Sequence, residues 1–198
     1  MIMGAIKLIA GLGNPGAEYE HTRHNAGVDL LTMISEHFGI SLHPASRFFG
    51  MTGQGRIRDQ DIRLVFPTTY MNLSGQAVAA VANFYRIRPE EILIMHDELD
   101  LETGQIKLKL GGGHAGHNGL KSIISSLGNN SGFYRLRIGI GKPSDRSQML
   151  GYVLGRPSPD DRELIESAQS YALSSVESVL SDGPEKAMNK INAFKANK

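Results

Sequence analysis

The 198-residue sequence contains no cysteine, and this absence excludes three kinds of chemistry. A disulfide framework, a thiolate nucleophile and a cysteine-ligated zinc ion all need that side chain. Long apolar runs are also missing, because charge or glycine interrupts every stretch well short of the roughly 20 residues that span a bilayer. The apolar start at 1–13 contains Lys7 and no small-residue cleavage pattern follows it, which favours a buried strand over a secretion signal. We therefore expect a soluble, cytoplasmic protein that works through histidine, carboxylate, hydroxyl and amide groups.

Acidic residues are absent from positions 103–144, although the whole chain is nearly neutral at +1. The same segment carries six bases, namely Lys107, Lys109, Lys121, Arg135, Arg137 and Lys142. A block of like charge is often only a solvated face. Here glycines at 111, 112, 113, 116 and 119 let the backbone approach a ligand and expose its N–H groups, which favours a polyanion.

Apolar periodicity predicts short strands that alternate with helices. The strands are predicted at 5–11, 51–57, 62–67, 92–96, 105–110 and 134–140. Helices are predicted at 25–38 with Thr22 as a cap, at 73–85, 120–127 and 161–180, and through Ala187, Ile191 and Phe194. This alternation predicts an α/β fold with a mostly parallel sheet, and the neighbouring strands near 51 and 62 indicate an antiparallel hairpin within it.

Residues 11–16 match the GxGxxG pattern of dinucleotide-binding loops after a predicted strand. In that fold the third glycine opens a helix that holds the pyrophosphate, whereas Pro15 and the residues after it delay the predicted helix. The acid expected about 20 residues further on is also missing, since Asp29 falls within a helical pattern. The remaining interpretations are a plain turn, or a loop that displays Asn14 at the carboxyl edge of the sheet.

Two HxxH pairs, His21 with His24 and His114 with His117, could assemble a metal site with Asp97. His96 and Asp97 also form the dipeptide of helical HD phosphohydrolases. The pairs lack the HExxH pattern, however, and the dipeptide ends an apolar strand, so metal catalysis is disfavoured. Serine catalysis is rejected as well, because the glycine that GxSxG needs before the nucleophile is missing and the serine at 74 is predicted to cap a helix.

A histidine base that activates water is the remaining catalytic hypothesis. His24 and Asp97 lie 73 residues apart, each at or just after a loop that a predicted strand leads into, and a carboxylate beside an imidazole sets its tautomer and stabilises its protonated form. Three loop asparagines at 14, 72 and 118 supply amides that can donate to a carbonyl or an oxyanion. These groups suit hydrolysis of an activated ester or amide, while a merely structural His–Asp pair is the alternative.

Five segments together resemble the bacterial peptidyl-tRNA hydrolase family. They are GLGNPGAEYEHTRHNAG at 11–27, PTTYMNLSGQAV at 67–78, HDELDL at 96–101, GGGHAGHNGLKSI at 111–123 and FYRLRIGIGKP at 133–143. The resemblance implies one monomeric domain over 1–198 with a twisted mixed sheet flanked by helices. It also implies a metal-independent, cofactor-free esterase that cleaves the bond between a peptide and the 3′ ribose of tRNA, recycling tRNA after aborted translation.

The resemblance further implies residue roles. His24 matches the catalytic base, Asp97 its carboxylate partner, and Asn14 the residue that senses a blocked amino group. Residues expected to line the tRNA end and the peptide site are Tyr19, Tyr70, Met71, Asn72, His117 and Asn118. Lys107, Lys109 and Arg137 match bases that meet acceptor-stem phosphate. The start at 1–4 departs from the family pattern, with no expected effect on the site. The rival functions are an RNA-binding module without catalysis and a dinucleotide-dependent oxidoreductase.

Overall fold

A seven-stranded sheet runs through the computed structural model, which describes residues 5–197. Its strands are Leu8–Gly11 (β1), His43–Ala45 (β2), Gly50–Ile57 (β3), Gln60–Pro67 (β4), Ile92–Glu98 (β5), Ile106–Leu110 (β6) and Tyr134–Gly139 (β7). They lie in the order β2-β3-β4-β1-β5-β7-β6. The four central strands are parallel, whereas β2, β3 and β6 pair antiparallel at the two edges. The predicted mixed sheet and its hairpin near 51 and 62 are confirmed.

Helices cover both faces of this sheet. They are Ala26–Phe38 (α1), Ser74–Phe84 (α2), Asn118–Ser126 (α3), Met149–Leu154 (α4), Pro159–Asp182 (α5) and Pro184–Asn192 (α6). Alternate residues of β5 supply both cores: Leu93 and Met95 pack with α1, α5 and α6, while Ile92 and Ile94 pack with α2 and α3. None of the helices in residues 5–197 is both long enough and apolar enough to cross a membrane.

The order of the strands opens a crevice at the carboxyl end of β1. After β1 the chain forms α1, β2 and β3 and then pairs with one side of β1 as β4. It continues through α2 and pairs with the other side of β1 as β5. Because α1 follows β1 and α2 follows β4 and the two helices cover opposite faces, the loops that follow β1 and β4 separate at this point. Open α/β sheets bind their ligands in such a crevice.

Several predicted boundaries need correction. The first strand begins at Leu8 rather than at 5, and the part of the N-terminal prediction that covers residues 1–4 lies outside the described residues. The edge strand β2 and the helix α4 were not predicted, because three residues around Pro44 and a six-residue helix are too short to show periodicity.

Both predicted helix caps are wrong. The Thr22 hydroxyl donates to the Tyr19 carbonyl (2.8 Å), and α1 begins only after a 3-10 turn at Arg23–Asn25. The Ser74 hydroxyl donates to the Met71 carbonyl (2.7 Å) from the first residue of α2. In each case the hydroxyl faces a carbonyl of the preceding turn, so it does not accept from the helix that follows.

Candidate active site

The loop between β1 and α1 carries Asn14 and His24 to the carboxyl edge of the sheet. Asn25 closes this loop, because its side chain accepts from the Asn14 N–H (2.9 Å) and donates to the Asn14 carbonyl (3.0 Å). Gly27 then lets α1 lie directly on β5, since a Cβ there would stand 2.1 Å from the Met95 carbonyl oxygen. No role was predicted for Asn25, although it belongs to the motif that contains His24.

Asp97 near the end of β5 joins two histidines from distant parts of the chain. One carboxylate oxygen lies 2.9 Å from His24 Nδ1 and the other lies 2.8 Å from His117 Nε2. The Asp97 side chain is only 2% exposed, and the two histidines are 13% and 10% exposed. The structure therefore brings together the predicted pair and adds His117 to it.

The hydrogen bonds of His117 determine where the protons sit in this cluster. His117 precedes α3, and its Nδ1 accepts from the backbone N–H groups of Gly119 (3.1 Å) and Leu120 (3.3 Å). Its single proton is therefore on Nε2 and is donated to Asp97. Asp97 then accepts the Nδ1 proton of His24, which leaves the lone pair of His24 Nε2 free to take a proton.

Burial and charge act in opposite directions on these groups. Burial lowers the pKa of His24, but the charge of Asp97 and its hydrogen bond outweigh burial, so the pKa is raised above its ordinary value. Burial raises the pKa of Asp97, yet the two histidines outweigh it and hold this pKa well below the usual range. Burial lowers the pKa of the adjacent His96 to about 3, and His96 Nδ1 donates to the Asp97 carbonyl (2.8 Å). At neutral pH, Asp97 is thus ionised and His96 is neutral.

Asn14 faces the turn at Met71–Leu73 that follows β4. Its side-chain oxygen accepts the Met71 N–H (2.7 Å). Met71 is buried and packs on Gly119, where an added Cβ would lie 2.7 Å from the sulfur. The oxygen of Asn14 is thus engaged, and its Nδ2 hydrogens remain as donors.

The other residues predicted to line the site differ in exposure. Tyr70 is 61% exposed, and its ring meets that of Tyr19 edge to face with 6.4 Å between centroids. Asn72 lies in the turn at Met71–Leu73 and Asn118 is the first residue of α3, and both are exposed. Because this turn packs against α3, the two amides lie on neighbouring elements beside Asn14.

The bases of β6 and β7 share one face, as predicted from alternation. Lys107 is in register with Arg137, and Lys109 with Arg135. Lys109 is exposed, whereas the Lys107 ammonium donates to the Asn192 carbonyl (2.5 Å) and the Arg137 guanidinium pairs with Glu98 (2.9 Å). The acid-free segment is therefore partly neutralised by partners from outside it.

Arg135, which was counted only as charge, supports the glycine-rich loop before α3. It is 3% exposed, and its guanidinium donates to the carbonyls of Gly112 and Gly113. A charge count along the sequence could not reveal this role.

A metal ion at this site would need as ligands the same histidine and carboxylate atoms that form the hydrogen bonds of the cluster. Among residues 5–197, His24, Asp97 and His117 form a group compatible with a metal ion, with ligand atoms within 4.8 Å of one another. The HxxH partners do not join them, because His21 faces Asp29 (3.4 Å) and His114 Nδ1 accepts from the Gly116 N–H (3.0 Å). Both histidine nitrogens that face Asp97 carry the protons of hydrogen bonds, so this arrangement suits proton transfer better than metal ligation.

A family model described as peptidyl-tRNA hydrolase matches residues 8–198, which include all of these site residues. The chain belongs to the peptidyl-tRNA hydrolase family. It is 56% identical over 193 residues to the peptidyl-tRNA hydrolase of Haemophilus influenzae strain 86-028NP, covering 98% of this chain and 100% of that protein. It is also 56% identical over 194 residues to the enzyme of Yersinia pseudotuberculosis serotype O:1b, covering 98% and 99%.

Solved structures of the peptidyl-tRNA hydrolase family share this fold. The crystal structure of the enzyme from Acinetobacter baumannii at 1.00 Å resolution superposes with a TM-score of 0.94 at 47% identity, covering 98% of each chain. A complex of peptidyl-tRNA hydrolase with N-propanol gives a TM-score of 0.95 at 47% identity over both whole chains. The resemblance found in the five sequence motifs is confirmed.

Proposed function

We propose that the protein hydrolyses the ester bond between a peptide and the 3′ ribose of tRNA, with His24 as the general base. The observation that carries this mechanism is the proton arrangement around Asp97, which leaves the Nε2 lone pair of His24 free. A non-catalytic RNA-binding module would not require it. The test is release of free tRNA from N-acetyl-aminoacyl-tRNA, compared with unblocked aminoacyl-tRNA.

In this mechanism His24 Nε2 takes a proton from water as the oxygen attacks the ester carbonyl. Asp97 stabilises the imidazolium that forms, and the proton then passes to the departing 3′ oxygen. The exposed amides of Asn72 and Asn118 supply donors for the tetrahedral oxyanion in this proposal. His117 acts through Asp97 as a positioning residue, because its bond to α3 and its bond to the carboxylate hold the carboxylate toward His24.

Asn14 is proposed to select blocked substrates through its Nδ2 donors. The acyl carbonyl of a peptide accepts such a hydrogen bond, whereas the ammonium of a free aminoacyl ester offers no acceptor. Asn14→Asp keeps an oxygen for the Met71 N–H, but when ionised it cannot donate and it attracts an ammonium. We expect the rate ratio of N-acetylated to free aminoacyl-tRNA to fall by about tenfold, the loss of a bond worth roughly 1.4 kcal/mol. If the ratio is unchanged at parental thermal stability, the sensor lies elsewhere.

Lys109, with Lys107 and Arg137, is proposed to contact tRNA phosphate. Lys109 is exposed and can bind phosphate without giving up a contact within the protein. Lys109→Ala should therefore raise KM for the full-length substrate and reduce the slope of log KM against log salt concentration by about one, with kcat unchanged. A blocked aminoacyl ester of a short 3′ fragment should not respond. Lys107→Ala and Arg137→Ala should in addition lower the melting temperature, because each loses a contact within the protein. Equal losses of activity on the full-length and the short substrate would indicate that these residues stabilise the fold and do not contact tRNA.

Metal independence is a separate expectation. Because the protons between Asp97 and its two histidines occupy the atoms that a metal would need, EDTA treatment followed by gel filtration should leave the hydrolysis rate unchanged. Loss of activity with recovery on adding zinc or manganese would contradict the mechanism. We further propose that the protein acts as a cytoplasmic monomer, which sedimentation and cell fractionation would test.

A further inference from the structure

The hairpin of β3 and β4 carries polar side chains on the face of the sheet that α2 covers. Thr52 on β3 lies opposite Val65 on β4 and His43 on β2, and two positions further on Gln54 lies opposite Arg63. Directly opposed residues point to the same face, and Val65 packs in the core beneath α2. The polar members of this group therefore also point to the α2 side, where a sheet covered by a helix carries apolar residues.

A cavity of about 510 Å³ opens over these polar side chains, beside the C-terminal half of α2. Pro44, Phe48 and Val81 form apolar walls, and Ser41 adds a hydroxyl to the polar groups. Ligand pockets have volumes of about 300 Å³ and more. The cavity therefore has room for a small organic molecule.

The charge around this cavity is of one sign. Among the described residues, none that lines it is acidic, and the two segments that form it, 37–58 and 62–89, contain no aspartate or glutamate. Arg47 adds a positive charge beside one wall, because its guanidinium carbon lies 4.8 Å from the centre of the Phe48 ring and 4.1 Å from that of Phe84. A cleft lined by charge of one sign raises the local concentration of ligands of the opposite sign, here an anion.

Arg63 is held in this cavity by an aromatic ring. Its guanidinium carbon lies 3.3 Å from the centre of the Tyr85 ring, and this contact fixes the position of the group while its N–H groups stay available. Arg63 takes part in none of the ion pairs found within residues 5–197. A guanidinium binds two oxygens of a phosphate or carboxylate at once, so Arg63 is a preorganised anchor for such a group.

We propose that this cavity binds a small molecule with a terminal phosphate group, of the size of a nucleoside monophosphate. Arg63 binds two phosphate oxygens, and His43, Thr52 and Gln54 supply further donors from the same lining. A phosphate fits better than a carboxylate, because a terminal phosphate carries about 1.5 to 2 negative charges and three acceptor oxygens. The organic part of the molecule packs against the apolar walls.

The proposed phosphate site lies away from the candidate active site. Arg63 is in register with Leu8 at the start of β1, and Leu8 is in register with Ile92 at the start of β5. Asp97 lies five positions beyond Ile92 on β5, about 16 Å at the rise of a strand. The cavity is also on the β3 and β4 side of β1, whereas β5 is on the other side. Phosphate binding there is therefore independent of the proposed ester hydrolysis.

Calorimetric titration with AMP tests this site, with adenosine as the probe that lacks the phosphate. AMP should bind the parent with a Kd below about 1 mM, and adenosine should bind at least about tenfold more weakly, because only the phosphate meets Arg63. Arg63→Gln should weaken AMP binding by about tenfold, the effect of losing a charged hydrogen-bond partner. Arg56→Gln is the matched control, because Arg56 lies on the same hairpin outside the cavity and pairs with Asp61 (3.6 Å).

A second variant keeps the test decisive if Arg63→Gln unfolds. Thr52→Val removes one donor without changing net charge, and it should weaken AMP binding by about fivefold at a parental melting temperature. The assignment is overturned if AMP does not bind the parent, if AMP and adenosine bind it equally, or if neither variant weakens AMP binding.

A short RNA separates a terminal phosphate from the backbone of a nucleic acid. An RNA pentamer with hydroxyl groups at both ends offers only phosphodiesters, which carry one charge each, so it should bind the cavity more weakly than AMP does. RNA binding that is tighter than that of AMP and is lost in Arg63→Gln would overturn the proposed terminal phosphate and assign the cavity to an RNA backbone.

Discussion

Replacing His24 by alanine is expected to lower kcat for N-acetyl-aminoacyl-tRNA by a factor of about 10² to 10⁴, the usual contribution of a positioned general base. The imidazole has its Nδ1 bound to Asp97, and only its Nε2 can receive the proton of the attacking water. Affinity for tRNA should stay near the parental value, because the phosphate contacts proposed for β6 and β7 are untouched. Single-turnover kinetics with saturating enzyme separates these two quantities.

The matched control for this experiment is His37→Ala. His37 is an exposed histidine in the last turn of α1, so its removal changes composition equally and leaves the Asp97 cluster intact. We expect parental kcat from this control. Near-parental turnover of His24→Ala would remove His24 from the mechanism, and an equal loss in the control would indicate damage to α1.

Asp97→Asn is expected to reduce kcat by a comparable factor of about 10² to 10⁴, because it puts the proton of His24 on the wrong nitrogen. An asparagine offers one oxygen and one NH₂ group to the two imidazoles. His117 must keep its proton on Nε2, since its Nδ1 accepts from α3, and it therefore takes the oxygen. The NH₂ group then faces His24 Nδ1, which must become an acceptor. The proton moves to Nε2 and the base is lost.

The pH dependence of the same variant gives an independent measurement. Protonated His24 cannot accept a proton from water, so kcat/KM should rise with pH through the pKa of His24. In the parent this pKa is raised because the charge of Asp97 outweighs burial. Without that charge only burial remains, so the acidic limb of the residual activity should move to lower pH. The exposed Asp100 supplies a control, and Asp100→Asn should keep both the rate and the limb. An unmoved limb in Asp97→Asn would contradict the pairing with His24.

Much of the site could be predicted from the sequence, because its parts follow strands that can be recognised locally. The apolar run before Asp97 predicts a buried strand, and the run before Gly11 does the same, so both loops are expected at one edge of a parallel sheet. The five motifs then place the chain in its family without any structure. The alternation of Lys107 and Lys109 on β6 likewise follows from strand geometry alone.

The tertiary structure determined which atoms of the site residues form hydrogen bonds with one another. Asp97 meets His24 from 73 positions away and His117 from 20, and the direction of each hydrogen bond depends on the packing of α3 against the sheet. The tertiary structure also determined how far the charge of the acid-free segment is neutralised, since Glu98 lies outside that segment and pairs with Arg137. A sequence pattern reports the residues within one segment. The proton positions and charge partners of this site depend on contacts between segments, so only the folded chain determines them.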